Sequence, residues 1–264
     1  MRKQTKIDYA NWIPAKLPTT LGVTGLLLAL LFIASFLPAA NVPVIILRIF
    51  FAAAALLTLA LFGYMARARR LLSYDGGGVQ GKILDNVLRY LDWDGHGTLL
   101  DIGCGSGALT IKAAKKYPDA RCVGMDYWGA MWDYAKEQCE TNAELEGVAN
   151  RTSFQKGDAA HLDFSDGHFD AAVSNFVFHE VRTQPDKLAL IREALRVLKP
   201  GAPFAFEDVF FSQKNYPNLN ALVETLSKEV TEIRFVDTRK NSFVPKLLRT
   251  SLVAGEMGLI CGKK

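Results

Sequence analysis

The sequence predicts an α/β fold with a mostly parallel sheet, preceded by two long apolar helices. Three observations lead to this prediction: apolar runs at residues 21–37 and 44–65, a glycine-rich turn at 103–107, and alternating helix and strand patterns from residue 81 onward. Short apolar strands that alternate with helical segments are typical of a parallel sheet covered by helices on both faces. The chain of 264 residues allows one large domain, or one domain with an appendage.

The two apolar runs predict a helical hairpin in a membrane, within residues 1–65. The second run is long enough to span a bilayer, and the first is at the short end of that range. Basic residues flank both outer ends and the turn has none, so both ends are expected in the cytoplasm. These basic residues are Arg2, Lys3, Lys6, Lys16, Arg67, Arg69 and Arg70. We expect residues 21–65 to contact membrane lipids.

Two other interpretations of the apolar runs stay open. The first run also fits a cleaved signal peptide, and both runs fit a buried hairpin in a soluble protein. Arg48 is the single charged residue in the runs, and we expect its side chain to reach the membrane interface. The net charge of +4 is modest, and the basic clusters suit anionic lipids better than nucleic acid. No nucleic-acid partner is expected.

Residues 66–81 are predicted to join the hairpin to the domain. Basic residues are followed here by a glycine-rich stretch that is expected to be flexible, and the consecutive glycines 76–78 interrupt helical structure. One interpretation is a plain linker with Asp75 as a helix cap. The other is a mobile flap over a ligand pocket, with Tyr74 reaching inward. The domain itself is expected to span residues 82–264.

The sequence of this domain predicts five helices and seven strands. Helical patterns cover residues 81–91, 108–116, 130–146, 185–198 and 218–230. Strand patterns cover residues 98–102, 121–126, 152–156, 169–174, 203–208, 232–237 and 257–262. The last two strands break the alternation, so we expect them to pair at one edge of the sheet. Trp132 and Tyr134 are expected to be core residues of the third helix.

Polar residues directly follow the predicted strands. Ligands of open α/β sheets bind at the carboxyl ends of the strands, where these residues are expected to lie. In chain order they are Asp101 with the glycine turn, Asp126, Asp158, Asn175, residues 176–180, and Glu207 with Asp208. Several carboxylates would repel a polyphosphate, but they suit a ligand with a ribose and cationic groups. A dinucleotide site is the second interpretation, because residues 103–108 also satisfy a degenerate G-x-G-x-x-G/A pattern.

Five motifs, in order, resemble those of class I S-adenosylmethionine-dependent methyltransferases. Residues 101–107 (Asp-Ile-Gly-Cys-Gly-Ser-Gly) resemble the first motif, and residues 123–126 the second. Residues 157–159, 169–175 and 193–206 resemble the next three. The resemblance covers roughly residues 80–210. It implies a Rossmann-like, doubly wound, mostly parallel sheet of seven strands, with S-adenosyl-L-methionine as the cofactor.

The resemblance implies that the glycine turn holds the methionine end of the cofactor. The residues expected there are Gly103, Cys104, Gly105 and Gly107. Asp101 is expected near the ammonium group. Asn175 is expected to contact the same end through its backbone or side chain. Cys104 also fits a simple packing role, since a small side chain suffices in the turn.

For the adenosine end, the resemblance implies residues that follow the second and third strands. Asp126 is expected to accept hydrogen bonds from the ribose hydroxyls, because a carboxylate offers paired acceptors. Tyr127 or Trp128 is expected to lie against the adenine. Asp158, with the Ala159 backbone, is expected to contact the adenine amino group. Asp158 as a turn residue and Trp128 as a packing residue stay open.

His179 is the candidate catalytic residue. It follows the fourth strand, where the acceptor is expected, and histidine titrates in the range that suits a general base. The alternative is that His179 only shapes the acceptor pocket. The further candidates for acceptor contacts are Tyr74, Phe176, Glu180, Glu207 and Asp208. The four cysteines are expected to be free thiols, and no His/Cys cluster predicts a metal site.

These features predict methyl transfer to a small acceptor, with the catalytic domain held at the cytoplasmic face of a membrane. The chain has no Asn-Pro-Pro-Tyr motif after the fourth strand, which argues against methylation of nucleic-acid bases. In its general pattern the sequence resembles the branch of the family that methylates quinones and sterols. A membrane anchor would suit a lipophilic acceptor. A cofactor-binding regulator without catalysis and a nicotinamide-dependent oxidoreductase are the alternatives. The oligomeric state is not predicted.

Overall fold

The computed structural model describes residues 5–128 and 136–264. The chain divides into two compact units. The hairpin unit is Asn11–Val79, and the sheet unit combines Met1–Ala10 with Gln80–Lys264. Residues 5–10 group with the sheet unit, whereas the sequence analysis placed them with the apolar hairpin. Arg2, Lys3, Trp132 and Tyr134 lie outside the described residues.

The hairpin unit contains two helices, α1 (Lys16–Ala34) and α2 (Val42–Leu72). Asn41 caps α2 by accepting a hydrogen bond from the Val44 amide at 3.0 Å, and Pro43 occupies the first turn, where its missing N–H costs nothing. α2 continues through residues 66–72, which the sequence predicted as linker. Alanine, leucine and arginine are strong helix formers, so the basic stretch extends the helix.

Arg48 caps the end of α1, at the turn of the hairpin, and its expected place at a membrane interface stays a prediction. Its guanidinium donates to the Ser35 carbonyl at 3.1 Å and to the Pro38 carbonyl at 3.3 Å. It also lies 4.3 Å from the centre of the Phe36 ring. Carbonyls in the last turn of a helix have no partner within the helix, so a cation from α2 satisfies them. The charge therefore has a structural role within the hairpin.

Both helices of the hairpin are long and apolar enough to cross a membrane. Their most apolar windows have mean hydropathies of 2.1 and 2.6, and only 11% and 6% of those windows is buried. Large apolar side chains are exposed, among them Leu26, Phe50 and Leu56 at 61%, 61% and 71%. A core helix of a soluble protein would be mostly buried, and these two are not. α1, near the N-terminus, also fits a signal sequence by length and composition.

The sheet unit contains seven strands, in the order β3-β2-β1-β4-β5-β7-β6. They are β1 (Gly97–Ile102), β2 (Ala120–Asp126), β3 (Thr152–Lys156), β4 (Ala171–Asn175), β5 (Pro203–Asp208), β6 (Glu232–Val236) and β7 (Gly258–Lys263). β1 to β5 are parallel, and β7 runs antiparallel to both β5 and β6. The predicted mostly parallel sheet and its closing pair of strands are confirmed.

Helices cover both faces of this sheet. They are α3 (Val79–Tyr90), α4 (Ala108–Lys116), α5 (Lys136–Leu145), α6 (Lys187–Arg196) and α7 (Leu219–Leu226). The predicted helix at 130–146 is therefore described only from Lys136 onward. α7 ends four residues earlier than predicted, at the Ser227 cap.

The core explains why the central strands read as continuous apolar runs. Leu100, Ile102 and Phe204 pack with Leu190 and Ile191 of α6 in one buried cluster. Strands covered on both faces have no solvent-facing side, so their sequences do not alternate. The chain reverses its direction across the sheet between β1 and β4. The carboxyl ends of the strands at this switch point form the crevice where ligands of such sheets bind.

Candidate functional site

The glycine turn (residues 103–107) connects β1 to α4 and is held against the end of β2. The amides of Gly103 and Cys104 both donate to the Met125 carbonyl, at 2.7 and 3.0 Å. Gly103 has φ +73°, and a Cβ there would lie 2.1 Å from Val177 Cγ2. Gly107 caps α4 with φ +82°. Only glycine fits these two positions, as the fingerprint predicted.

Asp126 joins the end of β2 to the glycine turn. Its Oδ2 accepts from the Gly105 amide at 2.8 Å, and its Oδ1 accepts from the Trp128 amide at 2.8 Å. The Trp128 indole turns back and donates to the Gly105 carbonyl at 2.9 Å. The indole therefore contacts the glycine turn. The two roles expected for Trp128, contact with the adenine or packing for the following helix, stay predictions. Tyr127, in contrast, is 60% exposed and is the aromatic side chain available to a ligand.

Asp101 is buried beneath the turn, 1% exposed, and accepts from the Thr110 hydroxyl at 2.6 Å. Burial raises the pKa of Asp101 to about 7, and burial also raises the pKa of Asp126. In the described part of the chain, no cation contributes to either shift. Two poorly solvated carboxylates without a protein cation fit a ligand that brings hydroxyl donors and positive charge. These two carboxylates therefore suit S-adenosylmethionine, which carries ribose hydroxyls and positive charge.

Asp158 forms a turn after β3. Its Oδ1 accepts from the Ala160 amide at 2.9 Å and from the Thr183 hydroxyl at 3.2 Å. Ala159 beside it is 8% exposed. The turn role that the sequence left open is present, and it links Asp158 to the loop after β4. The expected contact of Asp158 and Ala159 with adenine stays a prediction.

Asn175 and Phe176 end β4 beside the switch point. The buried Asn175 Oδ1 has no hydrogen-bond partner within residues 5–128 and 136–264. Phe176 has φ +56°, and its amide donates to the Glu207 carbonyl at 2.8 Å. This strained backbone turns the chain toward His179, whose ring stands edge-on to the Phe176 ring at 6.5 Å between centroids.

His179 is held by Asp208 at the end of β5. Its amide donates to Asp208 Oδ2 at 3.0 Å, and its Nδ1 pairs with Asp208 Oδ1. Tyr216 donates its hydroxyl to Asp208 Oδ2 at 2.8 Å, and Nε2 of His179 lies 3.4 Å from Glu180 Oε1. Asp208 has no exposed surface and is placed to orient His179, so a direct contact of Asp208 with an acceptor stays a prediction.

The two carboxylates determine the charge of His179. Burial favours the neutral ring, but the charges and hydrogen bonds of Asp208 and Glu180 outweigh it and raise the pKa of His179 to about 10. The imidazole is therefore protonated at neutral pH. A protonated ring donates hydrogen bonds, so this charge state suits a donor role, and the general-base role of His179 stays a prediction.

Glu207 is also buried, 1% exposed, and accepts from the Thr238 hydroxyl at 2.8 Å. Burial raises the pKa of Glu207 to about 8. Like Asp208, it does not present its carboxyl group at the surface, and its expected contact with an acceptor stays a prediction. A strand that is buried on both faces encloses even its terminal acids. Asn86 of α3 lies beside it and partly offsets this shift in the Glu207 pKa.

Three further expectations have different outcomes. Tyr74 belongs to the hairpin unit, so its contact with an acceptor stays a prediction. Cys104, Cys122, Cys139 and Cys261 are buried free thiols. Among the described residues, no group of three or more metal-ligating side chains is present.

The sequence analysis missed Tyr216, because no pattern in its loop indicates that the phenol hydroxyl donates to Asp208.

Comparisons with known proteins agree with this geometry. A family model described as a methyltransferase domain matches residues 99–201. An arsenite methyltransferase of Aquipseudomonas alcaligenes is 36% identical over 120 residues, which cover 44% of this chain and 34% of that one. The ubiquinone/menaquinone biosynthesis C-methyltransferase UbiE of Dinoroseobacter shibae is 30% identical over 154 residues, 58% of each chain.

The match to relatives is partial in length. The chain spans about a quarter to three fifths of the curated relatives it matches. The crystal structure of the cyclase SpnF is 21% identical, covers 68% of this chain and 79% of its own, and has a TM-score of 0.50. That likeness shows the fold alone. The motifs, the sheet order and the match to a methyltransferase domain at residues 99–201 together support a class I S-adenosylmethionine-dependent methyltransferase.

Proposed function

We propose that this protein transfers a methyl group from S-adenosylmethionine to a small lipophilic acceptor at the cytoplasmic face of a membrane. The observation that carries the proposal is the exposed apolar surface of α1 and α2, next in the chain to a methyltransferase domain. An enzyme of ubiquinone and menaquinone biosynthesis is among the relatives, and quinones are lipophilic. An anchor keeps such an enzyme where its acceptor is concentrated.

The residues proposed to hold the cofactor are those of the glycine turn, with Asp101, Asp126, Tyr127, Asp158, Ala159 and Asn175. When bound, S-adenosylmethionine supplies an electrophilic methyl group on a sulfonium. Asp126 keeps free lone pairs on both oxygens after binding two amides, so it can accept the ribose hydroxyls as well. The buried carboxylate of Asp101 is ionised most readily beside a cation, which favours the ammonium group.

His179 is proposed to act on the acceptor as a charged hydrogen-bond donor. Asp208 and Tyr216 fix the ring, and Nε2 points the remaining proton toward Glu180 or an acceptor oxygen. A fixed positive charge favours the ionised form of an acidic acceptor oxygen, and the anion is the better nucleophile toward a sulfonium methyl group. Positioning supplies much of the rate in such displacements. Phe176, edge-on to His179, is proposed to line the same region.

Orientation in the membrane is proposed from the basic residues. Arg67, Arg69 and Arg70 follow the apolar part of α2, where they suit the cytoplasmic surface and its anionic lipids. Arg69 also donates to the Ile13 carbonyl, which ties the chain before α1 to the end of α2. Both ends of the hairpin are then on one side, with the methyltransferase domain.

The test uses the full chain in lipid nanodiscs with isotope-labelled S-adenosylmethionine and an extract of membrane lipids. We expect label in the organic phase, and its loss in Asp126→Ala but not in the matched surface variant Asp163→Ala. Label only in water-soluble products would refute the lipophilic acceptor. Binding of S-adenosylhomocysteine without turnover on either fraction would indicate a regulator. Binding of NADH alone would refute the cofactor assignment.

A further inference from the structure

Asp8 and Tyr9 lie against the glycine turn, although more than 90 residues separate them from it in sequence. We call residues 5–10 the N-terminal strap. The Tyr9 carbonyl accepts a hydrogen bond from the Ser106 hydroxyl at 2.8 Å, and Tyr9 is only 4% exposed. Its hydroxyl donates to Glu146 Oε1 at 3.0 Å. The strap is therefore held through both the backbone and the side chain of Tyr9.

Asn142 of α5 links the strap to the turn. Its Oδ1 accepts from the Asp8 amide at 2.9 Å, and its Nδ2 donates to the Asp8 carbonyl at 2.8 Å. The same Nδ2 donates to the Ser106 carbonyl at 3.1 Å. Gln138 adds a second donor to the Asp8 carbonyl at 2.7 Å. Asn142 has no exposed surface, and its bond to the Ser106 carbonyl is buried.

Ser106 is therefore held on both sides, through its hydroxyl and through its carbonyl. It stands between Gly105, whose amide binds Asp126, and Gly107, which caps α4. Cys139 of α5 also donates to the Gly105 carbonyl at 3.2 Å. The glycines that let the turn approach a ligand also leave it conformationally free, which costs entropy when it orders. The turn needs support from outside, and the strap is part of that support.

We propose that Tyr9 and Asn142 are positioning residues, and that the N-terminal strap pre-orders the cofactor turn. The strap restricts Ser106 and thereby fixes the Gly105 amide and the start of α4 before a ligand arrives. Pre-ordering increases affinity because less freedom is lost on binding. The inference rests on the proposed cofactor role of the turn, and its test must separate the two.

The test measures two quantities on the full chain in detergent micelles. One is the Kd for S-adenosylhomocysteine by calorimetry, and the other is amide hydrogen exchange over residues 105–111 without ligand. We expect Tyr9→Ala and Asn142→Ala to raise the Kd at least tenfold and to accelerate exchange in this segment. Tyr9→Phe keeps the ring and the strap carbonyl, so its Kd should stay within about threefold of wild type.

The control is Tyr117→Ala, which removes a buried ring of equal size at the opposite end of α4. It should lower the melting temperature like Tyr9→Ala while leaving the Kd within twofold. Ser106→Ala removes one strap bond without removing bulk, and serves if Tyr9→Ala does not fold. A Kd that is unchanged in Ser106→Ala and Asn142→Ala, or raised equally in Tyr117→Ala, would overturn the proposal.

The hydrogen-exchange measurement separates this proposal from the cofactor assignment. If wild-type protein does not bind S-adenosylhomocysteine, the cofactor role of the turn fails. Faster exchange at residues 105–111 in Tyr9→Ala would still show that the strap orders the turn. Equal exchange in wild type and Tyr9→Ala would refute the strap's role, whatever the ligand.

Discussion

Glu207 and Asp208 are consecutive residues at the end of β5, and their side chains point to opposite faces of the sheet. Asp208 accepts from Tyr216 at 2.8 Å and holds His179, whereas Glu207 accepts from Thr238 at 2.8 Å. Side chains alternate along a strand, which separates the two acids. One carboxylate is thus bonded to His179 and the other to Thr238, although the charge of Asp208 also contributes to the raised pKa of Glu207.

Glu207→Gln is expected to stabilise the protein at high pH. The folded pKa of Glu207 is about 8, above the ordinary value of 4.5. The stability from its protonated form is therefore present at low pH and is lost as pH rises through about 8. We expect the variant to unfold at a higher temperature than wild type at pH 9, by a few kcal/mol in free energy, with nearly equal values at pH 4.

Thermal unfolding of the full chain in detergent, at several pH values, measures this effect. The matched control is Glu224→Gln on α7, whose side chain is 70% exposed, and it should change the profile little. Equal destabilisation by Glu207→Gln at both pH extremes would contradict the assignment.

Asp208→Asn is expected to lower the pKa of His179 by more than one unit, because it removes the charge next to Nδ1. NMR titration of the four histidines should show one imidazole near pH 10 in wild type and none there in the variant. Tyr216→Phe keeps the carboxylate, so the His179 pKa should stay within about one unit. Turnover that rises with pH up to about 10 would instead support a general base.

Binding of S-adenosylhomocysteine is expected to strengthen as pH rises from 5.5 to about 7 and then to level off. The pKa of Asp101 is about 7 in the free protein, and an adjacent ammonium favours the ionised carboxylate. Proton release, seen as a buffer-dependent heat in calorimetry, should accompany binding below pH 7. Asp101→Asn should bind about tenfold more weakly and without this pH dependence. A flat wild-type profile would remove Asp101 from the site.

Asp126→Ala is expected to weaken S-adenosylhomocysteine binding at least tenfold, about 1.4 kcal/mol. The variant loses the proposed ribose contacts and also two hydrogen bonds, to the amides of Gly105 and Trp128. Calorimetry measures the affinity, with the exposed Asp163→Ala as control. Binding within twofold of wild type would exclude Asp126 from the ribose role.

The sheet was predictable because its strands are apolar runs that end in acids. The bounds of α4, β3 and β5 agree with the sequence patterns, and those of the other strands differ by one or two residues. The end of α2 was not predictable from the basic residues 66–70, because charge ends a membrane span but not a helix. Local patterns therefore identify an element better than they identify where it stops.

The residues of the site that lie on motifs were predictable, and the residues that support them were not. Asp126 and the glycine turn are encoded within a few positions of one another. Tyr9 meets Glu146 from 137 positions away, and the Tyr216 phenol returns to a strand it has just left. Such contacts depend on tertiary packing, which leaves no periodic trace in the sequence.

The placement of β7 has a consequence for how the protein is made. β7 lies between β5 and β6, and it is the last of the seven strands to be synthesised. The hairpin ends at Leu72, so roughly 190 further residues leave the ribosome before the sheet can close. At ordinary rates of synthesis this takes about 10 to 40 seconds. The apolar helices therefore have time to reach a bilayer while the methyltransferase domain is still unfinished.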